Sequence, residues 1–80
     1  MSPEQSRAAR AWLNWSQEEL AKRANMSLST VRDFEKGRHA PIANNISAMR
    51  RAIEGAGVRL VFDHDGKPVG ITYDRPDLER

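Results

Sequence analysis

The chain contains no cysteine. That absence excludes a disulfide framework and any thiolate metal site, and it fits a reducing compartment. A cytoplasmic location is therefore expected. There are two histidines, His39 and His64, far apart and without ligand-like spacing. No metal and no cofactor are expected. No apolar run approaches membrane-spanning length. The N-terminal MSPEQSRAAR has no apolar core of the kind a signal peptide needs, so no such signal is expected. No internal repeat and no low-complexity segment is present. No converging set of acid, base and nucleophile can be picked out, and 80 residues leave little room for a cleft. An enzyme is not expected.

The formal net charge of +2 is too small to decide anything. Its distribution says more. Residues 1–57 carry nine Lys/Arg against six Asp/Glu, whereas residues 58–80 carry four against five. The positive excess lies in the first part, where a nucleic-acid face would need it. A hydrophobic content of 39% with 30% charged residues suits one ordinary folded domain. A domain this small buries a modest core and gains from pairing with a second copy.

The start signals of three helices are explicit. Ser2-Pro3-Glu4-Gln5 places an N-cap, a first-position proline and a capping-box glutamine in order. The helix runs to about Leu13, with Ala8, Ala9, Trp12 and Leu13 as its apolar stripe. Ser16-Gln17-Glu18-Glu19 is a second capping box, after which Leu20, Ala21 and Ala24 face inward. Asn25 ends this helix in a left-handed conformation, and Met26 plugs the turn. Ser27 caps a third helix over 28–35, with Val31 and Phe34 inward and Gly37 past its end. Pro41 forbids helix immediately before it. A fourth helix runs from about Ile42 to Glu54, with Ile46, Met49 and Ile53 on one face.

After Gly57 the period changes from helical to alternating. Val58–Phe62 and Val69–Tyr73 read as strands around an Asp65-Gly66 turn. A lone hairpin is marginal in water. This one must pack on the helices or pair across a dimer. Asp63, His64 and Asp65 are turn residues on this reading, because neighbours in a turn cannot all converge on one ion. The division expected is a helical domain over 1–57, with two short helices joined by a tight turn at 16–37, a hairpin over 58–74 and a flexible tail over 75–80.

The ordered set Ser16-Gln17-Glu18-Glu19-Leu20-Ala21, Met26-Ser27-Leu28-Ser29-Thr30-Val31, Phe34-Glu35-Lys36-Gly37 and Pro41 resembles the Cro/CI-type (XRE) helix-turn-helix family. The resemblance covers roughly residues 5–57. It implies a mainly α fold of four to five helices, here followed by a C-terminal β-hairpin, and a sequence-specific DNA-binding regulator. Two residues depart from the family pattern. Asn25 stands where the family usually has glycine, and Leu28 stands at a position often polar and used to touch bases. The hairpin looks like the strands that some small members add for dimerisation.

A short helix after a tight turn presents its N-terminal residues and free N–H groups outward. Positions 28, 29, 32 and 33 lie opposite Val31 and Phe34. Leu28, Ser29, Arg32 and Asp33 are therefore the base-contact candidates. Arg32 suits a bidentate contact to guanine, Asp33 can accept from cytosine N4, and Leu28 suits a thymine methyl. Gln17 joins them because it matches the family position that bridges the backbone and the recognition helix or a base. Arg10, Ser16, Ser27, Thr30, Lys36, Arg38, His39 and Asn44 are the phosphate candidates, which position without reading sequence. Val58, Leu60, Phe62, Ile71 and Tyr73 are the dimer-interface candidates. Trp12 and Trp15 are read as core or dimer contacts, and Glu35 as structural, paired with a nearby cation. The expected partners are operator DNA and a second copy, with no membrane. The expected role is a homodimeric, autoregulatory regulator on a palindromic operator. The alternative is the antitoxin of a toxin–antitoxin pair that also represses its own promoter, with the toxin or another anti-regulator as protein partner.

Overall fold

The structure, a computed structural model, describes residues 1–38 and 42–74. Its elements are α1 (Pro3–Leu13), α2 (Gln17–Arg23), α3 (Leu28–Glu35), α4 (Ala43–Gly55), β1 (Val58–Phe62) and β2 (Pro68–Tyr73). Four helices followed by an antiparallel hairpin is the architecture the sequence predicts. His39 and Pro41, and the tail over 75–80, lie outside the described residues.

The caps form as the sequence requires. Ser2, Ser16 and Ser27 each accept a backbone N–H three residues on, from Gln5, Glu19 and Thr30. Each such cap contributes about 1 kcal/mol. The Ser2 box is reciprocal, since the Ser2 N–H donates to Gln5 Oε1 at 3.0 Å. The Ser16 box is one-sided, because the Glu19 carboxylate turns to Arg23 at 2.6 Å instead. Asn25 and Gly37 take the left-handed conformation, with φ of 58° and 72°. Asn14, at φ 60°, does the same after α1 and carries the chain into α2.

The core is a single cluster. Leu20, Val31, Met49, Ile53 and Val58 are wholly buried, with Ala9, Ala21, Ala24, Phe34 and Leu60 around them. Truncating Leu20 to alanine would cost ~2–5 kcal/mol, since the side chain is wholly buried in the core cluster. The face of α1 differs from the expected stripe. Gln5, Ser6 and Ala9 are its buried residues, whereas Ala8 is exposed and Trp12 is 61% exposed. Two polar side chains take the inward positions because specific partners satisfy them there.

The hairpin packs on the helices. β1 lies against α4 and β2 against α1. The register pairs Val58 with Tyr73, Leu60 with Ile71 and Val61 with Gly70, and shifts between Val61 and Phe62 so that Phe62 faces Pro68. A proline without an N–H fits such an irregular strand end. Asp63 Oδ1 accepts the N–H groups of Asp65 and Lys67, both at 2.9 Å, which closes the loop as a turn.

Candidate nucleic-acid interface

The interface is built on α3, whose two sides are chemically opposite. Val31, Phe34 and Glu35 are buried, and Ser29, Arg32 and Lys36 are exposed. Leu28 and Asp33 are half-buried, at the margin of the exposed side. At the helix start Ser27 Oγ lies 3.2 Å from Ser29 Oγ and 2.8 Å from Thr30 Oγ1. These hydroxyls face solvent beside the free N–H groups of the first turn, where an anionic phosphate is favoured. Ser16 is likewise exposed at the start of α2, and Arg38 and Asn44 are exposed beyond α3 and at the start of α4. His39, a phosphate candidate, lies outside the described residues.

Arg10 is corrected. Its guanidinium is turned inward, and its side chain is only 18% exposed. Nε donates to Glu35 Oε2 at 2.9 Å, Nη2 to Glu35 Oε1 at 2.7 Å and Nη1 to the Trp15 carbonyl at 3.2 Å. A guanidinium held by three acceptors is not available to a phosphate. Its place in the sequence, near the edge of the polar face of α1, hid this, because the partner comes from the far end of α3.

Glu35 collects that end of the domain. Besides Arg10, Ser6 Oγ donates to Oε2 at 2.5 Å and Gln17 Nε2 to Oε1 at 3.1 Å. Arg7 donates to the Glu35 carbonyl. Burial pushes the Glu35 carboxyl up, but the hydrogen bonds from Arg10, Ser6 and Gln17 and the Arg10 charge outweigh it. The group is held below the ordinary value of 4.5. Gln17 is half-buried with one amide N–H given to Glu35, which leaves its second N–H and its carbonyl oxygen for outside partners. The reading of Glu35 as structural and paired holds.

The dimer candidates divide. Val58 is wholly buried and Leu60 is 8% exposed, both inside the chain's own core. They are corrected, since side chains already packed into the chain's own core have almost no surface left to meet a second chain. Phe62, Ile71 and Tyr73 remain half-buried. Trp12 stands beside Tyr73, ring centroids 5.6 Å apart, and Trp12, Ile71, Thr72 and Tyr73 line an open hollow. Val69, 60% exposed, was missed by the sequence reading, as was the outward aim of Trp12. Alternation along β2 shows which residues share a face, and it cannot show that α1 leaves one edge bare.

A family profile described as helix-turn-helix matches residues 7–54, more than half of the chain. The chain is also similar to multiprotein-bridging factor 1 of Schizosaccharomyces pombe (strain 972 / ATCC 24843), 36% identical over 56 residues. That match covers 70% of this chain and 36% of the relative, so the chain spans about a third of that protein's length. Among the described residues no helix is long and apolar enough to cross a membrane.

Proposed function

We propose, because the chain belongs to the Cro/CI-type helix-turn-helix family of DNA-binding regulators, that it reads a palindromic operator as a homodimer and represses its own promoter. The observation that carries this reading is the split character of α3. Its inner side is tied into the core, and Ser29 and Arg32 stand outward between phosphate-compatible groups at both ends. An eight-residue helix spans only about 12 Å. It reads a few base pairs, which is too little to single out a site. Two copies related by a two-fold axis double the site and favour half-sites about 34 Å apart.

In this proposal Leu28, Ser29, Arg32 and Asp33 contact bases, and Gln17 contributes through its carbonyl oxygen. Ser16, Ser27, Thr30, Lys36, Arg38 and Asn44 contact phosphates, and His39 belongs with them on sequence grounds. Phe62, Ile71 and Tyr73, extended by Trp12 and Val69, form the dimer surface. The test is fluorescence anisotropy with the promoter of the protein's own gene against random duplex in ~100 mM salt. Preference for the promoter by a factor of ~10³ or more is the expected result. Equal affinity for both duplexes overturns it.

A second reading is favoured by the bare Trp12 and Val69. The name of the fission yeast relative speaks of bridging between proteins for that protein. Here the same surface would receive a different protein, such as a toxin in an antitoxin arrangement. Sedimentation separates the two. A dimer of the chain alone supports the first reading, and a monomer that gains mass only with a neighbouring gene's product supports the second.

A further inference from the structure

Gln5 is 2% exposed, an unusual place for a glutamine. Its amide is fully engaged. Oε1 accepts the Ser2 N–H at 3.0 Å, and Nε2 donates to the Val61 carbonyl at 2.9 Å and the Gly70 carbonyl at 3.0 Å. Val61 and Gly70 are opposite residues on β1 and β2. One side chain thus holds both strands at a single rung, while its oxygen is fixed to the start of its own helix.

The next residue works in another direction. Successive helix positions diverge by about 100°. Ser6 donates to Glu35 at the end of α3, and Arg10, about one turn on, does the same. α1 therefore carries the hairpin on one side and the recognition helix on another. The buried face of α1 offers only Gln5, Ser6 and Ala9. Ala9 adds one buried methyl, Leu13 packs partly buried on the core and Trp12 leans on Tyr73 at the edge, and such non-directional apolar contacts do little to fix an angle. Hydrogen bonds, which weaken steeply off-axis, do.

A capping box alone does not ask for glutamine. Glutamate at this position caps equally well, since only the oxygen is used. The nitrogen end serves the hairpin. We propose that Gln5 is a positioning residue that fixes the angle between hairpin and recognition helix, and so sets which half-site spacing the protein accepts. The spacing clause rests on the homodimer proposed above, and the angle clause does not.

Three measurements test it. In the wild-type protein the Gln5 side-chain NH₂ should exchange slowly with solvent and show couplings across hydrogen bonds to the Val61 and Gly70 carbonyls. Exchange as fast as that of the exposed Asn44 amide overturns the clamp, and this holds even if the variants below do not fold. Residual dipolar couplings should fit one common alignment for hairpin and helices in the wild type. In Gln5→Met and Gln5→Glu the hairpin should depart from it, and an unchanged alignment in both overturns the clamp. Site selection from duplexes with varied half-site spacing comes third. Losing both carbonyl bonds should cut discrimination between the preferred spacing and its neighbours about tenfold. Affinity for an isolated half-site should change by less than about twofold, because no DNA-facing group is touched. A purely structural role would lower affinity at every spacing equally and leave the preference intact. A wild type that sediments as a monomer on its operator sinks the homodimer reading alone. The alignment comparison then still decides the clamp.

Discussion

At its start α3 carries three hydroxyls, Ser27, Ser29 and Thr30, that bond to one another at the surface. At its end it carries Glu35, 4% exposed, with four hydrogen bonds arriving on its two carboxylate oxygens. The same helix thus ends in two polar clusters under opposite conditions. The hydroxyls can exchange water for phosphate at little cost, because apart from the Ser27 cap on the Thr30 N–H their bonds run only among themselves at the surface. The carboxylate cannot exchange anything, because α1, α2 and α3 meet on it. A regulator needs both. On the binding mode proposed above, the open cluster is free to meet DNA and the closed one keeps the helix in a single shape while it does.

The contrast can be broken most directly at the closed end. Glu35→Ala removes a buried carboxylate and leaves the half-buried Arg10 guanidinium without its charge partner, and should cost ~3 kcal/mol in urea unfolding. A loss below ~1 kcal/mol would mean that this cluster behaves like a surface pair, and the comparison would fail. The same group sets a pH dependence. Its folded-state value is depressed, so its contribution is fully present above the ordinary carboxylate range. It is lost as pH falls through the lowered folded value. Wild-type stability should therefore fall on acidification more steeply than that of Glu35→Gln, and parallel acid profiles would count against the network.

The outward side should respond in binding and not in stability. Arg32→Ala should weaken the best operator by ~1–3 kcal/mol and relax preference at particular positions. Its unfolding midpoint should correspond to a change within ~0.5 kcal/mol, as for an exposed residue. Ser27→Ala should cost about 1 kcal/mol of stability through the lost cap. Because its hydroxyl also stands where a phosphate is expected, affinity should fall equally for all sequences. Arg38→Ala is the smallest expected effect. It should leave sequence preference untouched and reduce the slope of log affinity against log salt by ~1. If Arg32→Ala and Arg38→Ala behave alike, the assignment of the α3 face is wrong.

Much of this was legible in the sequence, and the reason is local. Ser2, Ser16 and Ser27 announce helix starts through chemistry that involves only the next three residues. Asn25 and Gly37 announce ends through backbone freedom at a single position. The strands of the hairpin show in the change of period after Gly57. What stayed hidden depends on residues distant in sequence. Gln5 and Ser6 look like solvent-facing polar residues until Val61, Gly70 and Glu35 arrive. Arg10 looks like a cation awaiting phosphate until the far end of α3 meets it. Val58 and Leu60 show by alternation that they are buried, but not that the covering surface is the chain's own α-helical core. Asn14, between the helix end at Leu13 and the Ser16 cap, takes the same left-handed conformation as Asn25, a role asparagine signals only through its tolerance of positive φ.

The bonds from Gln5 to the hairpin also bear on how the chain is made. They join residues 56 and 65 positions apart. At ~5–20 residues per second, a ribosome needs roughly 3–13 s to add the 65 residues between Gln5 and Gly70. During that interval the first helix lacks the strand that satisfies its buried amide. The helices between them make mostly local contacts and can form early, but closure waits for nearly the last element. Among the described elements α1 and β2 therefore close together. A nascent chain stopped after α4 would carry the α3 surface proposed to face DNA while the hairpin that Gln5 holds is still missing.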